Sequence, residues 1–144
     1  MLLWRVSRFA SLDGDGGLFS DGRWHRQGTR VVYLAEHSAL ALLEALVHLE
    51  QSEATPPSYA LHRVEGPDDL AVSEWPKPIA PGGQSVSASW GQHWLDQRST
   101  ALARVPAVVA PHAWNWLLNP IHPDAARFRI VGSGTYPCDA RLLR

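Results

Sequence analysis

Cysteine is almost missing from this chain. Its 144 residues include one, Cys138, so no intrachain disulfide can form and a cystine-stapled scaffold is excluded. Net charge is also nearly missing: 13 Lys and Arg stand against 14 Asp and Glu, leaving −1 with His neutral. Such a balance offers no general attraction to nucleic-acid backbones or anionic lipid. Long apolar runs are lacking too. The best candidate, 39–49, is interrupted by Glu44 and His48 and is too short to span a bilayer. The opening MLLWRVSRF meets Arg5 and Arg8 too early for the apolar region of a signal peptide. The expectation is a single cytoplasmic domain over 1–144 that engages neither nucleic acid nor membrane.

Several chemical signatures are missing as well. The seven histidines form no His-Glu-x-x-His, and one cysteine cannot build a thiolate-rich zinc site. Glu44 and His48 could share an ion, but no third ligand stands at a suitable spacing, so no metal is expected. There is no Gly-x-Ser-x-Gly nucleophile turn. Gly14, Gly16 and Gly17 fit neither a Walker loop nor a dinucleotide fingerprint.

What is present is the composition of a packed core, with 45% hydrophobic residues. Strands are expected at 2–7, 30–35, 59–64 and 128–132, where β-branched and aromatic residues concentrate. The segment 101–110 is strand-like, with Pro106 breaking or bulging it. The Gly- and Asp-rich 12–22 is expected to be a loop whose glycines permit close backbone approach or positive φ. The Pro/Gly/Ser-rich 75–89 is expected to be a connection, 90–97 a short helix, and NWLLNPIHPD (115–124) a turn-bounded structural segment in which the Asn side chains satisfy backbone groups. Short strands with one strong helix indicate an α+β fold.

That strong helix is expected over His37 to Gln51, with Ser38 as N-cap. Among its polar side chains, His37, Glu44, His48 and Gln51 are spaced seven, four and three apart and so share one stripe. The rest of 39–49 is Ala, Leu or Val, which predicts burial on most sides. Glu44 is then a partly desolvated carboxylate, suited to charge stabilisation or acid–base work. His48, one turn away, could orient it; for His48 and Gln51 a plain solvent-facing role is favoured.

Most of the seven tryptophans are expected in the core. Trp24 stands apart, because it lies between Arg23 and His25 after a glycine-rich loop, where a planar ligand could stack. Arg5 and Arg23 have ordinary explanations as surface ion pairs, yet arginine is also the preferred fork for a pyrophosphate. Two arginines, aromatic faces, glycines and one sheltered carboxylate together fit a nucleotide better than any of them does alone.

At this point the chain resembles the RES-domain family, toxins of bacterial toxin–antitoxin pairs whose antitoxin carries an Xre-like helical domain. The resemblance is carried by LWRVS, GGLFSDGRWHRQGTRVVYLAE, ALALLEALVHLE and RVPAVVAPHAWNWLLNPIHPD, in the family's order and across nearly the whole chain. It implies an ADP-ribosyltransferase-like fold with short strands around an NAD-binding cleft. It also implies cleavage of the nicotinamide–ribose bond of NAD⁺ as substrate, with ADP-ribose passing to a protein, water or phosphate. By matching position, Glu44 would be the catalytic glutamate, Arg5 and Arg23 the arginines of the cleft, and Tyr33 its aromatic contact; Trp24 and His25 would adjoin the nucleotide. The implied partners are a cognate Xre-like antitoxin and a possible protein target. Two positions depart from the family pattern. His25 stands where Asn is usual, and Ala107 where Val-Pro-Ser is often written, with Ser99 eight residues earlier as a substitute serine. Ala107 motivates an alternative of another class, a catalytically weak nucleotide- or partner-binding module.

Overall fold

A computed structural model describes residues 1–49, 56–76 and 83–143. Its strands are β1 (Leu2–Val6), β2 (Val32–Ala35), β3 (Ser58–Glu65), β4 (Val72–Glu74), β5 (Leu102–Pro106), β6 (Trp114–Leu118) and β7 (Arg129–Pro137). They form one seven-stranded sheet in the order β4-β5-β6-β2-β1-β3-β7. β4 and β5 run parallel, and the other pairs are antiparallel. The helices are α1 (Gly16–Phe19), α2 (Ser38–Val47) and α3 (Gln84–Gln97), with 3₁₀ turns at Pro123–Arg127 and Ala140–Leu143. The chain is thus an α+β domain, and none of its described helices is long and apolar enough to cross a membrane.

The period-two alternation of strand side chains divides the core. On β2, Val32 and Leu34 join Leu3, Val64, Leu102, Leu118 and Phe128 on one face. Tyr33 and Ala35 point to the other, Tyr33 toward α3 residues Trp94 and Leu95, and Ala35 toward α2 residues Leu40 and Ala41. α2 and α3 therefore lie on the same side of the sheet.

One local weakness positions the site. β1 and β3 share five register pairs, and β2 and β6 share four, but β1 and β2 share only Trp4↔Ala35. The sheet opens beyond that pair, and the opening is walled by Arg5 and Val6 on one side and Tyr33 and Leu34 on the other.

Several expectations change. α2 ends at Val47 with His48 as its C-cap, and Gln51 lies outside the described residues. The N-cap is His37, not Ser38: its Nδ1 accepts the Ala39 N–H at 3.0 Å. Nor is α2 buried on most sides. A ten-residue helix lying on a sheet covers one stripe, here Leu40 and Ala41, while Leu43 and Val47 remain exposed. The more deeply buried helix is α3, which starts at Gln84 inside the expected connection. It buries small residues, Ser87, Ala88 and Gly91, ahead of Trp94 and Leu95. A Cβ at Gly91 would collide with the Trp24 carbonyl, so the glycine lets helix and loop backbones touch. Within the expected 12–22 loop, Gly16–Phe19 forms one helical turn. The expected turn segment at 115–124 begins as β6, with the turn following it.

Candidate functional site

A cleft of about 480 Å³ lies over the opening between β1 and β2. It adjoins a smaller pocket of about 140 Å³ that shares Arg5, Tyr33, Glu44, His48 and Asn115. Its size is within the ~300–1,000 Å³ usual for small-molecule sites. Arg5, Arg23, Trp24, His25, Tyr33 and Glu44 all border this one space, although the sequence spreads them over forty positions.

Glu44 reaches the cleft from α2, and its Oε1 accepts a hydrogen bond from Asn115 Nδ2 on β6 at 2.7 Å. Hydrogen bonds to an ionised acceptor are short and strong, so this oxygen is fixed by the sheet. The partner is not His48. That residue caps α2, is exposed, and lines the same cleft, but among the described residues it makes no hydrogen bond to Glu44. No group of three or more His, Cys, Asp or Glu among the described residues converges as a metal site would require.

Arg5 passes into the opening beside β2. Its Nη1 donates to the Tyr33 carbonyl at 3.3 Å, and its Nε is buried without a partner among the described residues. Burial lowers the Arg5 pKa, with the Asp13 charge opposing; a guanidinium remains charged regardless. An unpaired N–H on a sheltered cation is a donor ready for an anionic ligand. Arg23 borders the cleft from the β1–β2 loop, which is tied to α3 where Ser87 Oγ donates to the Arg23 carbonyl at 2.7 Å.

Tyr33 and His25 form a closed hydrogen-bond set. His25 Nε2 lies 2.8 Å from the Ser20 carbonyl, which can only accept, so that nitrogen carries the hydrogen. Nδ1 of the neutral ring must then accept, and the Tyr33 hydroxyl donates to it at 2.6 Å. The same hydroxyl accepts the Trp24 N–H at 3.2 Å. Burial raises the Tyr33 pKa well above its ordinary value, against the weaker effects of the Trp24 N–H and Arg23. Burial likewise lowers that of His25, opposed by the Ser20 carbonyl and Asp21. Both changes hold the pair neutral at pH 7. Gly22 is required here, since a Cβ would come within 2.5 Å of the Tyr33 hydroxyl and 2.6 Å of the His25 ring.

One expectation is changed by burial. Trp24 is only 3% exposed and packs edge-on against Trp75 and Trp90, at centroid distances of 5.2 and 5.9 Å. Its ring is part of the wall and has no face open for stacking a planar ligand. His25, expected to adjoin the nucleotide, borders the cleft but is 4% exposed, with its Nδ1 engaged by the Tyr33 hydroxyl. The half-buried Tyr33 ring is the aromatic surface left to the cleft. Asn115 was expected to satisfy backbone groups and instead holds Glu44; Asn119 does serve the backbone, through the Leu95 carbonyl and the Ile121 N–H. Asn115 would be visible in the sequence only if WNWLL were read as a strand. Ala107 is buried against Ala35, Leu40 and Ala41, while its neighbours Pro106 and Val108 line the cleft. Ser99 is exposed and borders neither cavity.

The RES domain family matches residues 2–139. The chain is 40% identical to Toxin Res of Pseudomonas putida, over 99% of this chain and 100% of that protein. It is 36% identical to the Prs ADP-ribosylating toxin of Sphingobium sp. (strain YBL2), over 98% and 96%. The crystal structure of the M. tuberculosis MbcT–MbcA toxin–antitoxin complex contains a chain of the same fold, with TM-score 0.77 and 17% identity, covering 94% of this chain and 84% of that one. With the family match running from Leu2 to Asp139 and relatives aligned along their whole length, the chain belongs to the RES-domain family.

Proposed function

We propose that this chain is the toxin of a toxin–antitoxin pair and that it consumes NAD⁺, cleaving the bond between nicotinamide and ribose. One observation carries the chemistry: a carboxylate oriented by a strand amide, Glu44 on Asn115, shares a cleft with Arg5 and Arg23. Breaking the C1′–N bond leaves the electron pair on nicotinamide, which departs neutral and needs no general acid. Positive charge then develops on the ribose as an oxocarbenium-like species. A preorganised carboxylate stabilises that charge more than it stabilises the ground state, as carboxylates do in glycoside cleavage. Arg5 and Arg23 supply the cations that fix a pyrophosphate, and the Tyr33 ring supplies a face for nicotinamide. An acceptor then bonds to C1′ and releases its proton. With water the products are nicotinamide, ADP-ribose and H⁺; with phosphate, nicotinamide and ADP-ribose phosphate; with a protein side chain, an ADP-ribosylated target.

The relatives support this function through their names, which include toxins and an ADP-ribosylating toxin. The fold neighbour is one half of a toxin–antitoxin complex, which supports an antitoxin partner for this chain; that the partner is Xre-like and the place of action the cytoplasm rests on the family resemblance alone. Ala107, which motivates a binding-only alternative, is packed beneath α2 and does not line the cleft. The deciding experiment is nicotinamide release from NAD⁺ by purified, antitoxin-free protein, with and without phosphate. Release is expected. No release in either buffer, together with no labelled protein in lysate supplied with labelled NAD⁺, would leave a binding module.

A further inference from the structure

Two asparagines four residues apart behave differently. Asn119 is fully buried and uses both ends of its amide: Nδ2 donates to the Leu95 carbonyl at 3.1 Å, and Oδ1 accepts the Ile121 N–H at 3.3 Å. That is the signature of a residue serving the fold. Asn115 uses one end. Nδ2 donates to Glu44 Oε1 at 2.7 Å, while Oδ1 is buried with no partner among the described residues. Buried polar atoms without partners are few in native proteins, and each asks for a reason. Here the reason is Glu44. Turning the amide over would set Oδ1, which only accepts, against a carboxylate, which also only accepts.

Asn115 is also the firmer of the two partners. It lies on β6, an interior strand between β2 and β5, paired with Ala35 and Val105. Glu44 rides on a ten-residue helix that buries only Leu40 and Ala41. The strand therefore sets the carboxylate's place, and the helix alone does not.

We propose that Asn115 is a positioning residue for Glu44, holding one carboxylate oxygen through Nδ2 and leaving the other to the cleft, at the expense of an unsatisfied Oδ1. The kinetic consequence rests on the NAD⁺-cleavage function proposed above; the electrostatic consequence does not. Asn115→Asp replaces the N–H donor by a second acceptor, so that two adjacent carboxyls must share a proton. Asn115→Leu keeps the volume and removes the hydrogen bond.

The experiment has two arms. In the first, the Glu44 carboxyl carbon is followed by NMR through a pH titration, its signal assigned by loss in Glu44→Gln. Its midpoint is expected to rise by about one pH unit or more in N115D, as for carboxylates sharing a site, and by less in N115L. In the second, nicotinamide release by N115L is expected to lose about 10- to 100-fold in kcat, as for a group moved by about an ångström, with KM for NAD⁺ changed less than about threefold. N115D should regain activity at higher pH, along its own titration. If N115L does not fold, Asn115→Ala takes its place. Identical titrations in the parent and both variants would overturn the proposal, as would a kcat loss no larger than the loss of folded protein in thermal melts. A shifted titration with no nicotinamide release from any variant, the parent included, would refute NAD⁺ cleavage and leave the positioning intact.

Discussion

Glu44→Gln is the substitution on which the proposed chemistry stands or falls. Glutamine is nearly isosteric, and its Oε1 can still accept the Asn115 N–H that now binds the carboxylate at 2.7 Å. Fold stability should therefore change by no more than about 1 kcal/mol, the difference between a charged and a neutral hydrogen bond at a half-buried site. The charge, in contrast, is lost. A unit negative charge about 4 Å from a developing cation contributes about 4 kcal/mol at an effective dielectric near 20. At about 1.36 kcal/mol per tenfold in rate, that is roughly a 10³-fold loss in kcat. KM should move less than kcat, because in the ground state the positive charge sits on the nicotinamide ring and reaches the ribose only as the bond breaks. The assay is chromatographic quantitation of nicotinamide at saturating NAD⁺, alongside a thermal melt. If E44Q kept more than about a tenth of parental kcat, or raised only KM, Glu44 would be a binding residue and the oxocarbenium argument would be wrong.

Other substitutions test the frame around that carboxylate. Tyr33→Phe strands the Trp24 N–H and the His25 Nδ1, which should cost about 1–3 kcal/mol of unfolding free energy. Urea denaturation reads this directly, and a change below about 0.5 kcal/mol would mean the closed set does not form. Gly91→Ala drives a methyl into the Trp24 carbonyl and should cost about 1–3 kcal/mol as overpacking, seen as a lowered Tm; an unchanged Tm would place α3 farther from the loop. Burial depresses the His25 pKa below its ordinary 6.5, so below that pH the unfolded chain binds more protons than the folded one. Stability from this group is complete above about pH 6.5 and is lost as pH falls through the folded value. Melts from pH 8 to 5 should decline over that window, and His25→Asn should flatten the decline; equal slopes would exclude His25 as its source. Asp13 and Asp139, whose pKa values are lowered by hydrogen bonds from the Asp15 N–H and from Arg141 respectively, lose their contributions only below about pH 3.8, so the windows stay separate.

Much of the sheet is legible locally. LLWRV, VYLA and YALHRV carry the β-branched and aromatic residues that favour strands, and their positions match β1, β2 and β3 closely. α3 is not legible in the same way. Its buried stripe begins with Ser87, Ala88 and Gly91, small residues whose burial follows from the close approach of the Arg23–Trp24 backbone to Ser87 and Gly91. β6 is obscured for the opposite reason. WNWLL is an interior strand whose first three residues are half-buried and last two buried, so it lacks the clean alternation of a strand with one wet face, and Pro120 and Pro123 draw attention to the turn behind it. β4 has three residues, too few for any periodicity.

The site divides along the same line. The chemical inventory can be read from the chain directly: two arginines, a tyrosine, and one carboxylate in an apolar helix, with no cysteine pair or metal motif beside them. These are properties of residue type and short-range spacing, which survive in the unfolded chain. Long-range packing settles which of them face the cleft. It turned Trp24 inward against Trp75 and Trp90, committed the Tyr33 hydroxyl to His25, and gave Glu44 its partner from Asn115, 71 positions away, and not from His48, four away. Those choices depend on where β2, β6 and α2 meet, and contacts between residues distant in the chain leave no periodic trace in it.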